Sequence, residues 1–283
     1  MPNLRIGIPS KGRLAEAAAT LLKEAGLSFR RQDRSLFAKV KEMDIDICFL
    51  RTDDIPVMCA EGAIGLGITG GDLIEEAGVE LTQRLSLGLG GCRLAICVPE
   101  DSPYKTAADL NGARIATSFP HITREYLAKQ GADCHTVELS GSVEATITLG
   151  VADGIVDLVE TGSTLAANRL RILETIGSYE TVLVESASVV DRELADRVVR
   201  RLEGVVIARS YSLLEYNIEE KNLATAEEIT PGYSSPTVNK LEREGWYSVR
   251  AMVPRKQVIG IMEKLEAAGA QAILETAIQN CRL

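Results

Sequence analysis

The sequence predicts an α/β protein with two lobes followed by a small α+β domain, and three patterns support this prediction. Short apolar, β-branched runs typical of buried strands alternate with segments whose apolar residues recur at helical spacing. A break rich in proline and acidic residues at 99–103 separates two such α/β stretches. Near the end of the chain, turns and strands surround a helix predicted at 255–268, whose apolar residues line one face.

Each element of the two lobes follows from its local pattern. The first predicted helix, for example, places Leu14, Ala18 and Leu21 on one side. In chain order, the predicted strands are 4–8, 45–50, 63–68, 92–98, 113–117, 136–139 and 154–159, and the predicted helices are 14–25, 73–77 and 122–129.

The 283 residues are enough for two or three domains with separate cores. We assign 1–96 with 178–209 to lobe I, 97–177 to lobe II and 210–283 to a C-terminal domain. The segments 170–176 and 181–190 are predicted strands that return the chain to lobe I, which leaves a cleft between the lobes. The stretch from Asp191 to Asn217 is predicted to be a long helix with a break near Gly204.

The composition excludes several classes of function. A net charge of −9 and only 4% aromatic residues argue against a nucleic-acid-binding surface. The six cysteines form no CxxC pair, which predicts buried thiols in a reducing cytoplasm, and two histidines do not favour a His-rich metal site. We see no basic leader and no apolar run of the ~18 residues that a membrane span needs, so we expect a cytoplasmic protein without a membrane partner.

The segment 154–165 has the most informative pattern for function. The run Gly154 to Val159 predicts a strand buried on both faces of a parallel sheet, and Asp157 interrupts it with a carboxylate that needs a ligand or cation. A glycine among three hydroxyl residues follows at 161–164 and leads into a helix. This turn is suited to bind a phosphate, although a Ser or Thr helix cap would explain the same residues.

Two further loops follow predicted strands. Lys11 and Arg13 place two cations in the loop before the first helix, where they either bind an anion or are simply solvated. After the strand at 45–50, Arg51 stands at the edge where ligands bind in open α/β sheets, and Thr52 is expected to cap the next helix. The stretch 65–70 fits GxGxxG, but the strand runs through its first two glycines, so we do not interpret it as a dinucleotide site.

The segment from Glu144 to Leu165 resembles the signature of the ATP phosphoribosyltransferases, which open histidine biosynthesis. The matching residues are Glu144, Gly150, Ala152, Ile155, Asp157, Leu158, Thr161, Gly162, Thr164 and Leu165. The resemblance extends over nearly the whole chain and includes a C-terminal extension like that of the long form of the family. It implies a catalytic region similar to the bilobal fold of periplasmic binding proteins and a ferredoxin-like, ACT-like C-terminal domain.

The resemblance also implies the reaction and its residues. Adenine N1 of ATP attacks C1′ of phosphoribosyl pyrophosphate and releases pyrophosphate, with Mg²⁺ as cofactor and metal ligands that the sequence does not identify. The implied residues are Lys11, Arg13, Glu144 and Asp157 for catalysis; Asp157, Glu160, Thr161, Gly162, Ser163, Thr164 and Leu165 for phosphoribosyl pyrophosphate; and Arg13, Arg51, Gly71 and Asp72 for ATP. Most phosphoribosyltransferases carry two adjacent acids before their phosphate turn, whereas here Asp157 and Glu160 are separated.

For the C-terminal domain the resemblance implies a site for histidine, the end product of the pathway, acting as inhibitor. The implied contacts are Asn217, Ser235, Thr237, Met252 and Ala272. Asn217 stands where some relatives have an acidic residue. Relatives of this length form dimers and hexamers, so a homo-oligomer is expected.

Two other functions fit the sequence. One is a bilobal small-molecule binding protein with a fused sensor domain and no turnover, and the other is a phosphoribosyltransferase for another base. The cationic loop and the hydroxyl-rich turn suit two phosphorylated substrates better than one small solute. No Ser/His/Asp triad or activated cysteine is evident, which agrees with a transfer that needs no covalent nucleophile.

Overall fold

The computed structural model describes residues 3–32, 35–41 and 43–282, which form two compact units. The first unit comprises 1–20 and 28–195, and the second comprises 21–27 and 196–283. Among the helices of the described residues, none combines the length and the apolar character that crossing a lipid bilayer requires.

The first unit alternates strands and helices. In chain order its elements are β1 (Leu4–Pro9), α1 (Arg13–Glu24), β2 (Phe37–Lys39), β3 (Ile45–Leu50), α2 (Asp54–Ala60), β4 (Leu66–Gly70), α3 (Gly71–Glu76), β5 (Thr82–Ser86), β6 (Cys92–Pro99), β7 (Arg114–Thr117), α4 (Pro120–Lys129), β8 (His135–Glu138), α5 (Ala145–Thr148), β9 (Gly154–Val159), α6 (Ser163–Ala167), β10 (Leu170–Tyr179), β11 (Thr181–Glu185) and α7 (Arg192–Ser210). The last turn of α1 and most of α7 belong to the second unit. Most strands and helices predicted for the lobes are therefore confirmed, with shifts of a few residues at their ends, but the strand predicted at 181–190 ends at Glu185.

These strands form two mixed sheets. The first sheet has the order β2-β3-β1-β4-β11-β5, in which β1 pairs in parallel with β3 and β4. The second has the order β10-β6-β9-β7-β8. The strand β9 is buried at the centre, as predicted, but it runs antiparallel to β6 and parallel to β7, so the prediction of a parallel setting is wrong. An apolar run reports burial on both faces and does not report the direction of the neighbouring strands.

The chain crosses between the sheets twice. The first crossing is the glycine-rich stretch 87–91 between β5 and β6. We expected this crossing to lie near the proline break at 99–103, which instead begins at the last residue of β6, within the second sheet's part of the chain. The second crossing lies between β10, in the second sheet, and β11, in the first. The expectation that 170–176 also returns the chain to lobe I is therefore wrong, because β10 pairs with β6; only β11 makes the return. All of β6 belongs to the second sheet, so the expected lobe boundary at 96/97 falls inside this strand; the division into lobes stays a proposal.

The prediction for Asp191 to Asn217 is wrong in two respects. The helix α7 continues through Gly204 without a break. The glycine there allows close approach of the C-terminal segment, since the amide of Cys281 donates a hydrogen bond to the carbonyl oxygen of Gly204, 3.2 Å away. A Cβ at Gly204 would overlap the carbonyl oxygen of Cys281. Residues 211–217 are not helical and form the first strand of the second unit.

The second unit continues with six elements after α7. They are β12 (Tyr211–Glu219), α8 (Leu223–Ile229), β13 (Thr237–Lys240), β14 (Trp246–Pro254), α9 (Val258–Ala267) and β15 (Gln271–Ala277). The sheet order β13-β14-β12-β15, with every pair antiparallel, is the βαββαβ ferredoxin-like topology. The helices cover one face of the sheet, where Leu214, Tyr216 and Val249 are buried. The predicted fold class, two α/β lobes of the periplasmic-binding-protein type and a ferredoxin-like domain, is confirmed.

Candidate active site

A cleft of about 990 Å³ in the first unit is formed by loops and strand ends from both sheets. It is lined by residues 11–14 and 17, 52, 70, 72–73, 89–92, 144, 155, 157–165 and 180–181. Most of the residues that the sequence singled out therefore meet in one space. Arg51 and Gly71 do not line it; each immediately precedes a residue that does.

The turn at 161–164 presents its polar groups to the cleft. Gly162 adopts the left-handed conformation, with φ of +80°, and is the residue that precedes α6. The hydroxyl groups of Thr161 and Ser163 lie 3.1 Å apart, and both side chains are exposed, as is Thr164. The N-cap position of α6 is Gly162, which makes no side-chain cap, and the amide of Ser163 donates a long hydrogen bond to the hydroxyl of Thr161, at 3.5 Å. A Ser or Thr at the N-cap position therefore does not explain these hydroxyl residues, and the buried Leu165 secures the turn to the core beneath.

Asp157 lies half-buried in β9, where the strand reaches the cleft. Its Oδ1 atom accepts a hydrogen bond from the amide of Leu158, at 2.8 Å. Burial raises the pKa of the Asp157 carboxyl, and the nearby negative charge of Glu144 raises it further, although the Leu158 amide opposes both effects. Glu144 precedes α5 and also lines the cleft. The two acids therefore form a negatively charged pair that favours a cationic or hydroxyl-bearing ligand.

The cationic loop also lines the cleft. Lys11 and Arg13 are exposed, and the guanidinium of Arg13 lies 3.4 Å from Oε1 of Glu160. With 92% of the Arg13 side chain exposed, this ion pair contributes little to stability, so an anion can displace Glu160 at small cost.

A basic residue outside the cleft, Arg31, supports this loop. Arg31 donates a hydrogen bond to the carbonyl oxygen of Ser10, at 2.6 Å, and its guanidinium lies 4.1 Å from the ring centroid of Phe49. The amide of Ser10 in turn donates to Leu50, at 2.7 Å. The pairing of Arg31 with a loop 21 residues earlier leaves no local sequence signal.

Asp72 is buried at the start of α3 and faces the cleft. Burial raises the pKa of its carboxyl, while its own amide and that of Leu73 donate hydrogen bonds that oppose the shift. The amide of Gly71 donates to the carbonyl oxygen of Glu180, at 3.0 Å, which fixes the start of α3 to the crossing between β10 and β11.

Other cleft residues were missed or assigned differently. Thr52 does not cap α2, because Asp53 is the residue before the helix and makes no side-chain cap; the carbonyl of Thr52 instead accepts from the hydroxyl of Thr69, at 3.3 Å. Glu180 and Thr181 line the cleft without any motif to mark them. Cys92 also lines it, but burial, with Asp72 and Glu160 nearby, raises the pKa of its thiol to about 11. The thiol therefore stays protonated and is a poor nucleophile.

No group of three or more His, Cys, Asp or Glu side chains within the described residues could hold a metal ion by itself. Carboxylates nevertheless line the cleft at Asp72, Glu144, Asp157, Glu160 and Glu180. Oxygen donors of this kind suit Mg²⁺, which is commonly held by one or two carboxylates together with substrate phosphates. The donor set therefore fits a cation that arrives with a phosphorylated substrate.

The residues expected to bind histidine lie in the second unit. Asn217 and Met252 are half-buried on the sheet face opposite the helices, since their neighbours Tyr216, Ala251 and Val253 point into the core. Thr237 pairs with Arg250, which pairs with Glu215 across the next strand, so these side chains share that face. Ser235 precedes β13 in an exposed loop, and Ala272 lies at an irregularity of β15 with φ of +52°.

Comparison with known proteins identifies the family. The family model described as HisG, ATP phosphoribosyltransferase, matches residues 51–204, and the model described as HisG, C-terminal domain, matches residues 208–280. The ATP phosphoribosyltransferase of Rhodopirellula baltica is 63% identical over 280 residues, which cover 99% of this chain and 94% of that protein. This chain belongs to the ATP phosphoribosyltransferase family. The enzyme of Corynebacterium diphtheriae is 44% identical over 282 residues, covering 99% of this chain and all of that protein.

A solved structure agrees with this assignment. The ATP phosphoribosyl transferase (HisG:HisZ) complex from Thermotoga maritima contains a chain that is 32% identical, with a TM-score of 0.66; the match covers 72% of this chain and 98% of that one. The protein is thus a pentosyltransferase that transfers phosphoribosyl to ATP in the first step of histidine biosynthesis, as the sequence predicted. Neither alternative function is supported. Phosphoribosyltransferases of this family generally need a divalent metal ion.

Proposed function

We propose that the cleft of the first unit binds phosphoribosyl pyrophosphate and ATP at the same time, and that each substrate binds mainly to one side of the cleft. The observation that carries the proposal is the meeting of the hydroxyl-rich turn at 161–164, the acid pair Asp157 and Glu144 and the cations Lys11 and Arg13 in one space of about 990 Å³. A cleft of this size accommodates two phosphorylated ligands.

The turn is the proposed site of the 5′-phosphate. The hydroxyl groups of Thr161, Ser163 and Thr164, together with the backbone amides at the start of α6, supply neutral donors for a phosphate. Glu160 precedes the turn and forms the ion pair with Arg13. Leu165 follows the turn and secures it to the core. The ribose then lies over Asp157, whose carboxylate holds ribose hydroxyls or stabilises positive charge as the C1′–oxygen bond breaks.

The leaving pyrophosphate is proposed to lie against Lys11 and Arg13. Its negative charge grows during the reaction, and fixed cations stabilise that charge more in the transition state than in the ground state. Arg13 becomes available when pyrophosphate displaces Glu160. We propose Mg²⁺ as the divalent ion, which would offset phosphate charge when bound. The carboxylates that line the cleft and would hold it are Asp72, Glu144, Asp157, Glu160 and Glu180.

ATP is proposed to occupy the side of the cleft that Asp72 lines, with Arg13 near its phosphates. Arg51 and Gly71 are kept as neighbouring contributors, because Arg51 is exposed beside Thr52 and Gly71 fixes Glu180. Adenine N1 carries its own lone pair and the pyrophosphate leaves as an anion, so the protein needs no covalent nucleophile. Catalysis then depends on alignment and on electrostatic stabilisation.

The experiment that tests these roles measures initial rates of pyrophosphate release while each substrate is varied. Replacing Thr161 and Thr164 together by alanine should raise KM for phosphoribosyl pyrophosphate and leave KM for ATP nearly unchanged, because only the proposed 5′-phosphate site loses donors. Thr82→Ala, on an exposed strand of the same unit, is the matched control. Equal KM values in the double variant and the control would refute the placement of the phosphate.

We further propose that histidine inhibits the enzyme by binding the helix-free face of the second unit. The grouping of Asn217, Thr237 and Met252 on that face supports the proposal. Replacing Thr237 and Met252 together by alanine should weaken inhibition, whereas Ile259→Ala, exposed on α9, should leave it unchanged. Inhibition equal to that of the unaltered protein in both variants would reject this face.

Assembly into dimers and hexamers also remains a proposal, which sedimentation with and without histidine tests. A cytoplasmic location is proposed as well, and the six free cysteines support it.

A further inference from the structure

The helix α3 links the two sheets of the first unit. Its first turn carries Asp72 into the cleft, and Ile74 packs into the core of the first sheet. Leu73 packs instead against the core beneath the second sheet. One short helix thus contacts the cleft and both cores.

Two consecutive glutamates at the end of α3 bind elements of the second sheet's layer. Glu76 accepts a hydrogen bond on each carboxylate oxygen, from the amide of His121 at 2.9 Å and from the amide of Ile122 at 3.0 Å. Both amides belong to the first turn of α4, 45 and 46 residues further along the chain. Glu75 accepts a hydrogen bond from the hydroxyl of Tyr179, at 2.9 Å.

The helix α4 needs this distant partner because its own sequence offers no cap. Phe119 precedes the helix and has no side-chain acceptor, and Pro120 occupies the first position without an N–H group. The amide of Thr123 bonds to the carbonyl of Phe119, so the two amides of the first turn that lack a helical partner are those that Glu76 binds. A carboxylate is the preferred partner at this end of a helix.

Tyr179 makes the second link at the crossing between the sheets. It ends β10 and is half-buried against the core of the second sheet, with its ring over Gly177, where a side chain would clash. The next residue, Glu180, lines the cleft and accepts the amide of Gly71. The start and the end of α3 are therefore both tied to segments that border the active site.

We propose that Glu76 is a positioning residue of the transfer reaction, with Glu75 and Tyr179 as a second anchor: together they hold α3 against the second sheet and so fix the separation between Asp72 and the turn at 161–164. This inference rests on the proposed division of the cleft between ATP and the phosphoribosyl group. Neither glutamate lines the cleft, so neither is a catalytic residue. Their effect is on alignment, and a displacement of ~1 Å at reacting atoms costs about 100-fold in rate.

The test is a kinetic comparison of Glu76→Gln with Glu80→Gln. A glutamine at 76 keeps one acceptor for α4 but loses the charge and presents an amide group to the second N–H. Glu80 is exposed in the loop after α3, so its replacement is a control for the same change of charge. Glu76→Gln should lower kcat about tenfold and change KM for each substrate less than about threefold, because each substrate binds mainly to one side of the cleft.

Two more variants separate positioning from folding. Glu76→Asp keeps both acceptor oxygens and should recover part of the lost kcat, and Tyr179→Phe, which removes only the hydroxyl group, should lower kcat in the same direction. Rates are measured well below the melting temperature of each variant. A Glu76→Gln enzyme that melts at lower temperature yet turns over like the Glu80→Gln control would overturn the proposal, as would a rise in KM with unchanged kcat.

Asp72→Asn is measured in parallel to separate this inference from the one it rests on. If Asp72→Asn impairs turnover while the Glu76 variants do not, the ATP side of the cleft is correctly placed and the positioning role is wrong. If Asp72→Asn leaves every kinetic constant unchanged, the division of the cleft is wrong and the positioning role fails with it.

Discussion

Replacing Gly162 by alanine changes the proposed phosphate turn at its backbone alone. The φ angle of +80° at Gly162 is one that side-chain-bearing residues avoid, at a cost of about 1–2 kcal/mol. No atom lies within 4 Å of the position that a new Cβ would occupy, so a steric clash adds nothing to that cost. The turn either keeps its geometry under strain or relaxes and moves the donors around Thr161 and Ser163. In the second case, losing about 1.4 kcal/mol of phosphate binding raises KM for phosphoribosyl pyrophosphate about tenfold.

The assay is the initial rate of pyrophosphate release with each substrate varied, together with thermal unfolding. Gly131→Ala is the matched control, because Gly131 has φ of +77°, has no atom within 4 Å of its Cβ position and lies outside the cleft. Both variants should lose a similar amount of stability, a few degrees in melting temperature for ~1 kcal/mol. Only Gly162→Ala should raise KM for phosphoribosyl pyrophosphate. Two variants with the same loss of stability and the same KM would refute the role of the turn.

Three other predictions concern single residues. Asp157→Asn should lower kcat by about 100-fold and unfold at the same or a higher temperature at neutral pH, because burial raises the pKa of this carboxyl and its charge therefore destabilises the folded state. The difference in melting temperature between Asp157→Asn and the wild type should shrink as pH falls, since the wild-type carboxyl becomes neutral in the folded protein before it does so in the unfolded chain. A difference that grows on acidification contradicts the assignment. Gly204→Ala should displace the segment around Cys281 and lower the melting temperature while kcat stays within about twofold, and a melting temperature equal to that of the wild type would show that the contact carries no stability. Arg13→Gln should lower kcat and weaken its salt dependence, and rates that keep the wild-type salt dependence would remove Arg13 from the site.

Local sequence predicted those parts of the fold whose determinants are local. The apolar run from Gly154 to Val159 formed a buried strand, and the glycine at 162 formed a left-handed turn. The cleft residues Lys11, Arg13, Asp72 and Asp157 follow strand ends or lie within them, so their convergence at one edge could be expected from sheet geometry. The direction of the strands next to β9 could not be expected in this way, because a buried strand is equally apolar whether its neighbours run parallel or antiparallel to it.

Contacts that join distant parts of the chain were not predictable in this way. The helix predicted after Asp191 was too long because Leu213, Leu214 and Ile218 are compatible with helical spacing. In the sheet, every second residue of β12 is buried instead, among them Leu214, Tyr216 and Ile218. Glycine at 204 reads as a helix break until the C-terminal segment is seen to cross there.

Hydrogen bonds by which one element holds a distant element in place could not be predicted from the sequence either. Glu76 follows an acidic neighbour in an ordinary helix end, and only the folded chain shows that it caps α4. Arg31, likewise, is one of several basic residues until its bond to Ser10 is known. The residues that position the site are thus harder to find than those that line it.

The most direct test of the central claim is a crystal structure of the protein with phosphoribosyl pyrophosphate bound. The 5′-phosphate should lie within hydrogen-bond distance of the amides and hydroxyls between Thr161 and Thr164, with the ribose hydroxyls beside Asp157 and the pyrophosphate toward Lys11 and Arg13. A 5′-phosphate held by the loop at Lys11, or anywhere else outside that turn, would contradict the account.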